Sequence, residues 1–461
     1  MKNLDNNAFD NLKGKTQAIF PEDYEMEYSH DINQHLKNIE VATKQMIGDS
    51  NKEINIKDLE QNLLFIEAIK SQLEKANKKS LKLEEIANDE INRIEGSKAF
   101  QRSAEKTQVL VPETGRDEIV KTRFSHSYEV ASSAKKMAIT IAKQLGLNSI
   151  LDVDYQNALT QACLLHDIGH PPFGHDGATF IDKTFKSHGL EEGFSDNNNN
   201  LVLIENQNLG LRDYVVASTI KYPDKLYKQQ KVDYTDKLLK ALDEDRQHFA
   251  RLGINLKNQT QTITCQIMDE ADRNSYTCSD LTDFYCLGNS VELEDLEPFI
   301  DFSSSKQLLL AKQMVNAVQS GSKTQIKNFF LDVKNQFNQN WKLTDNGLDY
   351  IDKDLYEFRE SLSKIEFEFF IKPIRKEEFH LNNMKNLELI INKTLQGEFC
   401  DSTFYKNKLE NASNKKELLE AQRDMVAELS DWYVINNAQN IIDLNIEQVQ
   451  KKEKTKTIKL R

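Results

Sequence analysis

Residues Gln161 to Gly177, QACLLHDIGHPPFGHDG, gather three of the chain's nine histidines and two aspartates into one segment. Cys163, Leu164 and Leu165 form an apolar approach, after which His166 and Asp167 stand side by side as metal-capable side chains. Neighbouring helical residues diverge by about 100°, so this pair meets one ion only at the seam between their two faces. Gly169, Pro171 and Pro172 then stop the helix, because proline lacks the backbone donor and clashes with the preceding turn. His170 and His175 are thereby held near a metal without having to be ligands. An isolated His-Asp pair is most often a surface pair or a satisfied core histidine. Company gives this one weight: His126 in TRFSHSYEVA and Asp272 in DEADRNSYTCSD. His126, His166, Asp167 and Asp272 together make a borderline-to-hard donor set that suits Mn, Mg, Fe, Ni, Co or Zn and does not choose among them.

Helices must hold these groups. Val130, Ala134, Met137, Ala138 and Ile141 recur at helical spacing, and a helix beginning near Ser125 puts His126 in its first turn. A second helix, from about Ile267 to Tyr285, sets Asp272, Tyr276 and Asp280 four residues apart along one face. A solvated acidic face is the common origin of such a pattern. Beyond Pro298, Leu308, Leu309, Leu310, Met314 and Val318 read as core. FEFFIKPIRKEEFH, Phe367 to His380, reads as a packed helix with a charged end, and the Asn-rich run Asp196 to Asn200 as a loop or turn. Nearer the start, Leu59, Leu63, Ile66, Ile69 and Leu73, then Leu83, Ile86 and Ile91, predict amphipathic helices; His30 and His35 read as surface residues.

Composition sets the outer bounds. The 461 residues, 39% hydrophobic, suffice for a sizeable core, and little Gly or Pro beside abundant Lys, Glu, Leu, Asn and Ile predicts a mostly helical protein. No apolar run is long enough to span a membrane, and MKNLDNNAFD lacks the apolar core of a signal peptide. Five scattered cysteines without a CxxC pair fit a reducing cytoplasm, with Cys163 and Cys265 as inert core thiols. A formal charge of -13 argues against a DNA-coating protein, so no nucleic-acid partner is predicted, while an anionic nucleotide in a locally basic pocket remains compatible.

Taken in order, NRIEGSKAFQRSAEKTQV (Asn92 to Val109), TRFSHSYEVA, HDIGHPPFGH, KYP at Lys221 to Pro223 and DEADRNSYTCSDLTD resemble the HD-domain deoxynucleoside triphosphate triphosphohydrolases, bacterial dGTPases among them. RDMVAELSDWY, Arg423 to Tyr433, is a weaker echo of that family's C-terminal helix. The resemblance implies an all-α HD-domain metallohydrolase core at 91–300, an N-terminal helical extension at 1–90, a C-terminal helical region at 301–450 packing on the core, and a basic tail at 451–461. It implies a divalent ion on His126, His166, Asp167 and Asp272, with a further Mg accompanying the nucleotide. It gives His175 an acid-base role near the leaving 5'-oxygen and His170 a supporting role at the phosphates. Arg123 and Arg273 then hold phosphate, whereas Gln108, Tyr276 and Asp280 read the sugar 3'-hydroxyl. The implied reaction is hydrolysis of a deoxynucleoside triphosphate to the deoxynucleoside and inorganic triphosphate, in a cytoplasmic homo-oligomer open to nucleotide effectors. Two departures stand out: Ala178 where the family carries an acid after its second histidine, and Asp196 where it carries a histidine. Asp176, His188 or Asp196 could compensate for these losses. The rivals are an HD phosphohydrolase acting on another nucleotide and a catalytically weak nucleotide-binding regulator.

Overall fold

In this computed structural model the structure describes residues 81, 82, 84–108, 121–147, 153–400 and 402–438. The helices expected through Leu59 to Leu83, the two early histidines and the basic tail lie outside the described residues. The chain divides into two units, Met1–Asp89 with Asp152–Asp154, and Glu90–Leu151 with Tyr155–Arg461. In the first, residues 84–89 are helical. Every site residue discussed below belongs to the second.

The described part of the second unit is helical apart from one hairpin and one isolated bridge between Thr107 and Thr122. Helix α1, Arg123–Gln144, begins where Thr122 accepts from the backbone N–H of Ser125, and it buries the predicted stripe from Val130 to Ile141. Then come α2, Val153–Leu165, α3, Gly174–Ser187, α4, Asp196–Asn206, and α5, Lys228–Arg251. Helix α6, Ile263–Cys286, is the spine of the site. Its first half packs Ile267, Met268 and Ala271 against Met137 and Ile141 of α1. The second half packs Leu281 and Tyr285 against α7, Ser305–Gln319, α8, Lys323–Gln339, and α9, Lys353–Glu366, through Met314, Phe330 and Phe358. Each of the larger aliphatic and phenylalanine side chains stabilises the fold by about 1.5–3 kcal/mol, so the register of α6 is strongly specified.

Between α8 and α9 lies the hairpin of β1, Trp341–Thr344, and β2, Gly347–Tyr350, paired antiparallel from Trp341↔Tyr350 to Thr344↔Gly347. A π-helical turn, Phe367–Ile371, prolongs α9 before α10, Glu378–Leu395, and α11, Lys415–Glu428. Together with α3, the last two enclose an apolar cluster of Phe173, Ile181, Leu387 and Val426.

Two expectations are corrected. Leu309 is 55% exposed, because α7 points Leu310, Met314 and Val318 inward at intervals of four and Leu309 stands one residue off that stripe. The Asn-rich run is the first turn of α4 rather than a loop. Ser195 caps it by accepting from the N–H of Asn198, and Asn198, Asn199 and Asn200 are buried. Asparagine is tolerated there because Asn199 and Asn200 donate to the Gly169 and His166 carbonyls and Asn198 to the Lys225 carbonyl.

Candidate active site

Helix α2 ends at Leu165, so His166 and Asp167 stand on the turn just beyond the helix expected to carry them. That turn is held by amides of α4. Asn200 donates to the His166 carbonyl at 2.7 Å and accepts from the Gly169 N–H at 2.7 Å, and Asn199 donates to the Gly169 carbonyl at 2.8 Å. The approach requires glycine, since a Cβ on Gly169 would lie 2.3 Å from the Asp196 carbonyl oxygen. From the other side, the Lys106 ammonium donates to the His170 carbonyl at 2.6 Å, and Asp431 accepts from the N–H groups of Thr107 and Phe173 at 3.0 and 2.9 Å. Burial lowers the Lys106 ammonium to a pKa of about 7. Asp431 belongs to the weak C-terminal echo, and its role here is to clamp the Pro-Pro turn.

Nδ1 of His166 lies 2.7 Å from the Cys163 carbonyl oxygen. Donation through Nδ1 leaves a lone pair on Nε2, which is buried and has no hydrogen-bond partner. That atom lies 3.4 Å from Asp272 Oδ1 and 3.5 Å from Asp167 Oδ1, and His126 Nε2 lies 2.9 Å from the same Asp272 oxygen. Bonds of about 2.1 Å to a divalent ion set donor atoms roughly 3–4 Å apart, so the set fits such an ion. His126, His166 and Asp272 converge within 4.8 Å of one another. Asp167 stands at the edge of this group. Its Oδ2 takes the Arg123 guanidinium at 2.8 Å, and its Oδ1 faces His170 Nδ1 at 3.2 Å.

The charges are balanced pairwise. Burial alone would raise the Asp272 carboxyl, but Lys221 at 2.8 Å, His166 and His126 hold it well below the usual carboxylate range. Burial opposes Asp167 in the same way, and His170, His166 and Arg123 prevail. Lys221 also pairs with Asp269 at 3.1 Å; burial lowers its ammonium, and Asp272 and Asp269 carry it well above the ordinary range. Sequence reasoning assigned no role to Lys221 or Asp269. The position of Asp269 one helical turn before Asp272 was the signal available for it.

A second convergence joins His170, His175 and Asp196, again with one donor atom from each within 4.8 Å of the others. Asp196 Oδ2 lies 3.1 Å from His170 Nε2 and 3.3 Å from His175 Nδ1, with the His175 side chain 75% exposed. Burial raises the Asp196 carboxyl, and the two imidazoles hold it well below its ordinary value. The other two residues that could compensate for the departures lie elsewhere. Asp176 pairs with Arg375 at 2.8 Å and His380 at 3.2 Å, and His188 bonds the Thr184 carbonyl at 2.9 Å. Ala178 packs against the apolar cluster of α3, α10 and α11, where a carboxylate would lose its hydration.

These groups open onto a cavity of about 420 Å3, lined also by Gln108, Arg273, Tyr276, Asp280, Glu366 and Phe367. Thus all the residues expected at the substrate line one space, while His126 and His166 lie buried beside it. Gln108 Oε1 is buried without a hydrogen-bond partner, and the Arg273 guanidinium lies 3.5 Å from Asp269. Burial and the nearby Asp272 push the Tyr276 hydroxyl up to about 12.

Residues 123–276 match the model of the HD domain family. Over 225 residues the chain is 31% identical to deoxyguanosinetriphosphate triphosphohydrolase-like protein 2 of Deinococcus radiodurans, across 42% of this chain and 52% of that protein. It is 32% identical over 202 residues to a deoxyguanosinetriphosphate triphosphohydrolase-like protein of Streptomyces coelicolor, across 41% and 45%. The chain spans about half the length of the curated relatives it matches.

Proposed function

We propose, from the match of residues 123–276 to the HD domain family and the similarity to deoxyguanosinetriphosphate triphosphohydrolase-like proteins, that the chain is a metal-dependent phosphohydrolase converting a deoxynucleoside triphosphate to the deoxynucleoside and inorganic triphosphate. The observation that carries this reading is the buried, unpartnered Nε2 of His166, converging with His126 and Asp272 beside a cavity that also holds two arginines. His126, His166 and Asp272, with Asp167 at their edge, would hold a divalent ion. When bound, the ion supplies Lewis-acid polarisation of a phosphoryl oxygen and a more acidic water. Arg123 and Arg273 orient the phosphate chain, their planar guanidinium forks matching pairs of phosphate oxygens. Lys221 and Arg273 together offset the charges of Asp269 and Asp272, which keeps the floor of the cavity from repelling an anionic substrate.

His175, at the mouth, moves a proton to or from the 5'-oxygen of the leaving deoxynucleoside, a role suited to an imidazole, whose ring nitrogens both accept and donate a proton. Asp196 orients it. The acid that relatives of this type carry three residues after the second histidine is thereby moved to α4, and the two departures from the family pattern compensate one another.

The test is an anion-exchange product assay with each deoxynucleoside triphosphate and Mn or Mg, comparing wild type with Asp167→Ala. The expected products are deoxynucleoside and triphosphate, abolished in the variant and by chelator. Release of a diphosphate and orthophosphate, or survival of every substrate, refutes the reading.

A further inference from the structure

The His175 side chain is 75% exposed, and one oxygen of Asp196, 3.3 Å from Nδ1, holds its ring. An imidazole so exposed is aimed largely by the backbone that bears it, and that backbone is unusual. Phe173 has φ 61° and ψ 26°, and Gly174 has φ 58°. Glycine adopts this left-handed region freely, and a Cβ on Gly174 would lie 2.9 Å from Nη2 of Arg123. A phenylalanine does not, and such a conformation persists only where its surroundings over-determine it.

Here they do. The Phe173 ring is buried in the apolar cluster with Leu387 and Val426, and its N–H donates to Asp431 Oδ1 at 2.9 Å. The other oxygen, Asp431 Oδ2, accepts from the Thr107 N–H at 3.0 Å and from the Thr107 hydroxyl at 2.8 Å. One fully buried carboxylate therefore ties the turn before His175 to the residue before Gln108. Lys106 adds a second stitch, donating to the carbonyls of His170 at 2.6 Å and Ala427 at 3.1 Å. The far side of His175 is gripped as well. Arg375 reaches both oxygens of Asp176, Nη2 to Oδ1 at 2.8 Å and Nε to Oδ2 at 2.9 Å, and His380 Nε2 lies 3.2 Å from Oδ2. A planar fork of this kind fixes direction as well as distance. Arg375 follows the π-helical turn, Asp431 follows α11, and both lie beyond the matched residues 123–276. Neither is among the residues lining the cavity.

We propose that Asp431 and Arg375 are positioning residues for His175, holding the turn from Phe173 to Asp176 so that the imidazole meets Asp196 at the mouth of the cavity. The inference rests on the deoxynucleoside triphosphate reading above. It divides the work between two parts of the chain: the metal-binding side chains come from the matched residues, and the aim of the proton-transferring group comes from the C-terminal helices.

The experiment measures single-turnover release of triphosphate, from the deoxynucleoside triphosphate that wild type turns over fastest, in Asp431→Asn, Arg375→Ala and Arg375→Lys, alone and combined with His175→Ala. Loss of a charge-assisted hydrogen bond corresponds to roughly 10- to 100-fold, and the rate constant falls by that factor in Asp431→Asn and Arg375→Ala. Arg375→Lys keeps one of the two contacts and loses less. In the His175→Ala background the same substitutions change the residual rate by less than about 3-fold, because residues acting through one group are not additive. Losses that persist in full without His175 overturn the inference, and so does a folded Asp431→Asn or Arg375→Ala enzyme at the wild-type rate. The Arg375 side chain is 37% exposed, so its variants decide the matter even if Asp431→Asn fails to fold. Amide hydrogen exchange across residues 171–177 rises at least about 10-fold in both variants while α6 keeps its protection; unchanged exchange there overturns the inference whatever the activity. Should wild type hydrolyse no deoxynucleoside triphosphate, the functional reading fails by itself, and the exchange measurement alone then decides.

Discussion

Replacing Asp196 with asparagine keeps the size of the side chain and removes its charge. One oxygen of Asp196 faces both His170 Nε2 at 3.1 Å and His175 Nδ1 at 3.3 Å. Charge-assisted hydrogen bonds contribute about 1.5–3 kcal/mol against about 1 kcal/mol for neutral ones. Losing the charge from two contacts therefore costs about 2 kcal/mol, which is roughly 30-fold in rate if the contacts tighten in the transition state. Asp196→Ala removes both contacts outright and costs about 3–4 kcal/mol, or several hundred-fold. The assay is release of triphosphate under single-turnover conditions, with bound metal measured in parallel. Because Asp196 does not belong to the His126, His166 and Asp272 group, metal content stays at the wild-type value. Asp196→Glu restores part of the rate, as a positioning carboxylate should. Ala178→Glu in the Asp196→Asn background does not, since position 178 packs into the apolar cluster. An Asp196→Asn enzyme within 3-fold of wild type at unchanged metal content would refute the reasoning.

Asn200→Ala leaves the Gly169 N–H and the His166 carbonyl unpaired in the interior. We expect a loss of about 2–4 kcal/mol in denaturant unfolding, with at least about 10-fold weaker metal binding because the turn that aims His166 is released; unchanged metal affinity would show that the turn holds itself. Asp245 accepts from the Tyr214 hydroxyl at 2.7 Å and the Ile263 N–H at 2.6 Å, and burial pushes its carboxyl up to about 7. A carboxyl raised on folding contributes stability that is fully present below its unfolded pKa of about 4 and is lost as pH rises through about 7, at most about 4 kcal/mol for three pKa units. The melting temperature is therefore expected to fall between about pH 4 and 7, and Asp245→Asn to flatten that slope. An equally steep slope in the variant contradicts the assignment.

Much of the site was legible from residue types and spacing. Adjacent His and Asp before a Pro-Pro break, a first-turn histidine and an acidic stripe of period four are local patterns, and local patterns survive because helical geometry fixes which side chains share a face. The buried stripe of α1 and the alignment of Asp272, Tyr276 and Asp280 follow from that rule. The Asn-rich run did not. Asparagine favours turns in isolation, and only the backbone groups of the His-Asp turn, brought against α4 by Gly169, together with the Lys225 carbonyl that takes Asn198, make three buried amides favourable inside a helix. Leu309 fails more simply, since a run of three leucines does not say which of them the neighbouring helices cover.

Sequence by itself determined the helical class of the chain, the candidate ligands and the places where the family pattern is broken, because these depend on residue identity and on spacings within single elements. The tertiary structure alone decided which acid meets His175, why Ala178 sits where a carboxylate was expected, and that Glu366 reaches the same cavity as Asp280. Those facts depend on helices separated by tens to hundreds of residues in the chain, and contact between them is set by core packing that no local pattern encodes.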